Sequence, residues 1–441
     1  MVANSSRFSV LVRTLILLVL GAVTASPALA VFGDDNNTEA KTEGAISAIN
    51  ITGNEKTDLN LIYRIMGLKV GDGFTMDAMD DAWDALEDCG YFRFVEIDYD
   101  DDDPDQVVLT IELEEDMTTF YSALLRYDRR HKYLVGATLE ERNLRGRGET
   151  LHVEAAAFYI QQGLVSWQRP WLFGVDGLET TVGVGGEIAD FVYRPFRYRK
   201  WDSKMDLRWN FNRDFFVGAD VTYGYFQQRD DFTADLPERG PDSPTGSAFS
   251  GAGSENHWAL GATAGFDSRS NPYYPSRGLL AQATVRNWTS NGFADYTESL
   301  ADLRGFVPLP WKNHILAMRA WGRQVSGPTN LDGALFFGGP ETVRGYQYAS
   351  REGEEGYLLS AEYRIPLFLM QISPDGEMVG FGFHLFGDAG DAWYYGDEAA
   401  VAQMSYGAGA HLNLATWQFR FEAARTKEGV WQFEFMDKFN F

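Results

Sequence analysis

The residues able to do chemistry form no catalytic signature. Six histidines (His131, His152, His257, His314, His384 and His411) match no metal-ligand spacing, and no H-E-x-x-H occurs. There is no G-x-S-x-G, and Gly183–Gly186 places glycines in an extended stretch instead of a phosphate loop. One cysteine, Cys89, allows neither an intrachain disulfide nor a cysteine metal cluster; its helical surroundings make it a small core residue. No catalytic residue, metal or cofactor is expected. Ion pairing is the chemistry that stands out. The long segment Val325–Gly356 contains Gly338-Gly339-Pro340-Glu341-Thr342-Val343-Arg344-Gly345-Tyr346. Its glycines permit a tight reversal around one guanidinium. Carboxylates follow in the next two segments. Tyr357, Leu359, Ala361, Tyr363 and Ile365 share one parity, so Glu362 points the other way. Val379, Phe381, Phe383 and Leu385 do the same, turning His384 and Asp388 away from the apolar face. Glu362 and Asp388 suit structural partnership with a cation better than an acid/base pair.

These positions need strands to hold them. From about Thr118 to Phe441, segments of roughly ten residues alternate apolar with polar or small side chains, the length and period of membrane-spanning strands. Trp431, Phe433, Phe435, Phe439 and Phe441 oppose Gln432, Glu434, Lys438 and Asn440; Trp417, Phe419 and Phe421 oppose Gln418, Arg420 and Glu422. A face of Trp and Phe against a face of charges suits lipid outside and a wet lumen inside. Sixteen such segments are expected, with centres from Leu124 to Phe435. Short turns at Arg145–Glu149, Asn212–Asp214, Pro308–Asn313 and Asn413–Thr416 contrast with long loops at Gln228–Glu255 and Val325–Gly356. Pro366–Glu377 is long for the short-turn end. The expected fold is an all-β transmembrane barrel behind one small α+β domain. A content of 31 Phe, 21 Tyr, 12 Trp and 45 Gly fits aromatic belts and tight bends.

The start of the chain has a different grammar. Arg7 and Arg13, the apolar run Thr14–Val23 and Ala28-Leu29-Ala30 read as an export signal over residues 1–30. That run is about half the roughly 20 residues of a spanning helix. Residues 31–44 read as an acidic linker. Over 45–116 the order is β-α-α-β-β: Ala45–Ile51, a helix capped by Asp58, a second over Met76–Cys89 with Met79, Ala82, Trp83 and Leu86 inward, then strands Phe92–Tyr99 and Val107–Leu113 around an acidic turn at Asp100–Asp105. The net charge of -25 is uneven: Asp34–Asp116 holds 24 acidic and 5 basic residues. Nucleic acid is thereby excluded as a partner.

Residues 45–116 resemble a POTRA domain, through Ile49-x-Ile51-x-Gly53-Asn54, Gly71-x-x-Phe74, Leu86 with Gly90-Tyr91-Phe92, and Leu109–Glu114. Residues 118–441 resemble the barrel of the BamA/TamA-like assembly and translocation family of surface-antigen type. Val343-Arg344-Gly345-Tyr346 is similar to that family's VRGF/Y loop between the eleventh and twelfth strands. The resemblance implies that this loop folds into the barrel, with Glu362 and Asp388 at the partner positions of Arg344. Asp267-x-Arg269-x-Asn271-Pro272 with Pro275-x-x-Gly278 is similar to the family's turn between strands eight and nine, and reads as structural. Phe439 and the final Phe441 resemble a C-terminal assembly signal, implying that barrel assembly machinery handles this chain. One POTRA-like domain replaces the several of the best-known members.

The resemblance implies a non-enzymatic outer-membrane insertase or translocase whose POTRA-like domain lies in the periplasm. It would receive client polypeptides by strand addition, with the edge expected in Asp105–Glu114. Outer-membrane lipid and periplasmic accessory proteins are the other implied partners. A passive outer-membrane pore and a structural surface barrel are the alternatives.

Overall fold

The computed structural model describes residues 44–436, except 104–105, 129–131, 159, 191–196, 213, 230–253, 292–294, 312, 328, 330–332, 348–349, 373–377, 398–400 and 416. The export signal, nearly all of the linker, most of the loop after Gln228, and Phe439 and Phe441 lie outside the described residues.

Local signals build the first domain. After β1 (Ala45–Thr52), the Asp58 carboxylate caps α1 (Leu59–Met66) by accepting from Asn60 N at 2.8 Å, and Gly67 ends the helix with φ 71°. Thr75 caps α2 (Met76–Asp88) through Ala78 N. β2 (Phe92–Asp103) and β3 (Gln106–Glu115) complete a sheet ordered β1-β3-β2. The helices close over a core that includes Ile46, Ile62, Phe74, Leu86, Leu109 and Ile111. Trp83 is not part of that core: it is 37% exposed and donates its indole N–H to the Val95 carbonyl.

Two expectations are corrected here. The acidic stretch after Tyr99 is not all turn, because the antiparallel ladder carries β2 on to Asp103 opposite Gln106. Nor does Val107–Leu113 form an edge. It belongs to β3, which bonds β1 on one side and β2 on the other. At β1, the Ile46 backbone is already engaged by Gly71 and Asp72, and Gly44 accepts from Phe74. Among the described residues β2 pairs with β3 alone, so the edge available for strand addition is that of β2.

Sixteen antiparallel strands follow, from Thr119–Asp128 to Trp431–Met436, each bonded to its neighbours in chain order. Every expected centre falls inside a strand. The first and last strands come side by side and close a transmembrane barrel. Among the described residues no backbone ladder joins those two. Phe433, Phe435, Phe383 and Leu385 face out and Glu362, His384, Asp388 and Glu422 are buried inside, as parity requires. The long connection after Pro366 is also corrected. The twelfth barrel strand (Glu355–Gln371) passes through Pro366 with a bulge between Pro366 and Phe368. Proline has no N–H for a ladder, and a bulge is where a strand tolerates that loss. The thirteenth strand starts at Met378, which shortens the connection to 372–377.

The first domain docks on the short-turn end of the barrel. Asp58 N donates to Gly146 O at 2.8 Å, and Asn143 Nδ2 to Thr57 Oγ1 at 2.9 Å. Arg64 reaches Asp176 at 2.8 Å.

Candidate functional site: an arginine pinned in the lumen

The segment between the eleventh (Ile315–Val325) and twelfth strands turns back into the barrel. A two-stranded hairpin, Leu335–Phe337 with Arg351–Gly353, forms its base. Phe337 and Val343 pack on Leu358 and Ala392 of the wall. Gly345 has φ 86°, a conformation that side chains resist, and this aims the preceding residue inward.

That residue is Arg344, which has no exposed surface. Its Nε and Nη2 make a fork onto Asp388 at 2.7 and 2.8 Å. Nη1 donates to Glu362 Oε2 at 2.9 Å and Glu422 Oε1 at 3.1 Å, and Nη2 lies 3.3 Å from Ser360 Oγ. The guanidinium carbon sits 3.6 Å from the centre of the Phe386 ring. Fork geometry and exclusion of water make these bonds charge-assisted and directional. Neighbouring residues hold the tip further. Gly345 N donates to Glu434 Oε1 at 2.9 Å, and the Tyr346 hydroxyl donates to Glu428 Oε2 at 2.7 Å.

Further cations balance the carboxylates. Glu362 also accepts from Arg364 at 2.8 Å and Arg420 at 2.5 Å, and Glu422 accepts from Arg420 at 2.7 Å and His384 at 2.8 Å. Two small residues make room. Gly409 stands between His384 and Glu422 in the register, and a Cβ there would come within 2.6 Å of His384 Nε2. Gly407 lies under Phe386, where a Cβ would meet the ring at 2.5 Å. Gly409→Val should therefore push His384 off Glu422 and lower barrel stability by about 1–3 kcal/mol. The check is unfolding in micelles, read from gel mobility with and without heating. An unchanged midpoint would show that the gap is dispensable.

Residues 143–436 match the model of the Omp85 superfamily domain, about two thirds of the chain, and 45–116 match a POTRA model described as a surface antigen variable number repeat. The chain belongs to the Omp85 superfamily. The fold agrees. The crystal structure of BamA from Haemophilus ducreyi lacking POTRA domains 1–3 is similar at a TM-score of 0.66 and 16% identity, covering 89% of this chain and 84% of that one. CdiB from Acinetobacter baumannii has a TM-score of 0.59 at 13% identity, covering 89% and 73% respectively. CdiB from Escherichia coli has 0.57 at 12%, covering 89% and 74%. No curated protein matches the chain.

Within this Omp85 barrel the structure brings together Val343, Arg344, Gly345 and Tyr346 with Glu362 and Asp388. Parity could have added Glu422 and Glu434, since both fall on the inward face, and Arg420 with them. Arg364 shares the parity of Glu362. Tyr274 carried no such signal. It comes from the turn between the eighth and ninth strands (Ser254–Asp267 and Gly278–Ser290), which enters the lumen instead of only linking strands. Asn271 Oδ1 accepts from Tyr273 N and Tyr274 N, and this aims the phenol at His411 Nε2, 3.1 Å away. His411 Nδ1 lies 3.2 Å from His384 Nδ1. One chain of polar contacts thus runs from that turn through His411, His384 and Glu422 to Arg344.

Glu362, His384 and Glu422 also bring possible metal-ligand atoms within 4.8 Å of one another, a grouping invisible in linear spacing. Three guanidiniums surround those carboxylates. A divalent cation would have to displace them, so the chemistry of this donor set is that of an ion-pair network.

Proposed function

We propose that this chain is an outer-membrane insertase or translocase of the BamA/TamA-like type, with its POTRA domain in the periplasm and client polypeptides as its cargo. The edge of β2 carries the reading, because among the described residues β2 is bonded on one side only and lies on a domain attached to the mouth of the barrel. An extended client segment can add to it through backbone bonds. The adjoining first and last barrel strands, without a ladder among the described residues, offer the client a lateral way out. Barrel assembly machinery would insert the chain itself, and periplasmic accessory proteins would meet the POTRA domain.

A passive pore fits less well, since Arg344 with its loop and Tyr274 with its turn occupy the lumen. A purely structural surface barrel leaves the β2 edge without a role. In-cell photocrosslinking decides among them. Probes at Glu96 and Asp98 of β2, and on both strands of the seam, should trap polypeptides; a probe at Thr110 of the central strand should trap far fewer. No adducts at β2 or the seam, together with steady client-independent conductance in bilayers, would establish the pore.

A further inference from the structure

We propose that the junction between the POTRA domain and the barrel is a binding site for the phosphate of a membrane phospholipid. The turn between the fourth and fifth barrel strands (Gln161–Arg169 and Leu178–Asp190) has unusual backbone. Trp171 has φ 50° and ψ 48°, and Phe173 has φ 57° and ψ 17°. Aromatic residues rarely adopt the left-handed region, and each such residue costs on the order of 1–3 kcal/mol. The result is a Phe173 side chain that is 87% exposed, with Val175 also exposed next to it. Such apolar exposure is costly in water and favourable in the interfacial layer of a bilayer. The turn stands at the end of two spanning strands, where that layer meets a barrel.

Beside the turn lies a cleft of about 300 Å³ lined by Arg64, Arg147, Arg169, Trp171, Asp58 and Asn60. Three guanidiniums thus meet one lining carboxylate, and Asp58 is committed to capping α1 through both nitrogens of Asn60. Two other carboxylates come near. Asp176 bonds Arg64, but its side chain is 89% exposed, so the pair is weak and exchangeable. Glu149 lies 3.9 Å from Arg169 and is held by Arg145 and Trp167. Arg64 also lies 5.7 Å over the Trp171 ring. The cluster is notable in its setting, because Asp34–Asp116 has only 5 basic residues against 24 acidic. An acidic domain would be repelled by an anionic leaflet, and here one of its few cations is held against the turn that carries Phe173, by Asp176 and the Trp171 ring. Guanidiniums for a phosphodiester and exposed aromatic and aliphatic groups for the acyl region are the two halves of a phospholipid site. A free phosphate would use only the first half.

The test uses the full chain in an uncharged detergent, with phosphatidylglycerol as the probe and native mass spectrometry to count retained lipid. Wild type should hold the lipid about tenfold more tightly than the Arg147→Gln/Arg169→Gln double variant. Phe173→Ser should also weaken retention, and millimolar inorganic phosphate should compete poorly. Arg147→Gln alone carries the test should the double variant fail to fold, since its side chain is exposed. Equal retention by wild type and the folded arginine variants would overturn the proposal. So would ready displacement by inorganic phosphate with Phe173→Ser without effect, which would mark a site for free anions.

Discussion

Replacing Arg344 by alanine is expected to release the inward loop and destabilise the barrel by about 3–5 kcal/mol, the usual cost of deleting one partner from a buried ion-pair network. Asp388 would lose both arms of its fork. Glu362 and Glu422, both buried, would each lose one of their donors. Arg344→Lys should recover little of this, because an ammonium cannot make the fork onto Asp388 and also reach Glu362 and Glu422. Two measurements check the outcome: protease sensitivity of residues 326–354, which should rise sharply, and the unfolding midpoint in micelles, which should fall. Client crosslinking at the seam should fall with them if the pinned loop is needed for function. Unchanged protease sensitivity and an unchanged midpoint would mean that the wall stands without its central cation.

Glu362→Gln should come close in severity, by the opposite route. Glu362 receives Arg344, Arg364 and Arg420 at 2.9, 2.8 and 2.5 Å. Neutralising it leaves three buried guanidiniums facing Asp388 and Glu422, a surplus of like charge at short range. A loss of about 3–5 kcal/mol is expected. The double variant Glu362→Gln/Arg420→Met should be less damaged than the sum of the single changes, since removing one cation restores balance. Strict additivity in the unfolding midpoints would show that Arg420 and Glu362 act independently, contrary to the geometry.

Much of this molecule could be read from its residues, because a lipid-facing barrel obliges each strand to alternate. Trp431, Phe433 and Phe435 had to lie opposite Gln432 and Glu434 wherever the strand sat, and the same rule turned Glu362 and Asp388 inward. What alternation does not carry is register. That Gly409 falls between His384 and Glu422, allowing them to bond across an intervening strand, depends on pairings set over the whole sheet. The position of β3 was hidden for a similar reason. An alternating pattern is the same in a central strand as in an edge strand, and only the parallel crossover from β1 puts β3 in the middle. Pro366 was misleading because a strand was expected to stop there, whereas the bulge lets it continue. Tyr274 escaped notice because turns have no parity to read.

The hydrogen bond from Gly345 to Glu434 ties the interior to the wall at its weakest place. Glu434 is on the sixteenth strand, which has a ladder partner on only one side among the described residues. Shifting that strand outward strips the loop tip of an acceptor, and drawing the tip away leaves the half-buried Glu434 without the Gly345 donor. Neither part can move alone without breaking that hydrogen bond. A chain entering sideways between the outer strands would therefore loosen the plug, and a chain threading the channel would loosen the hem.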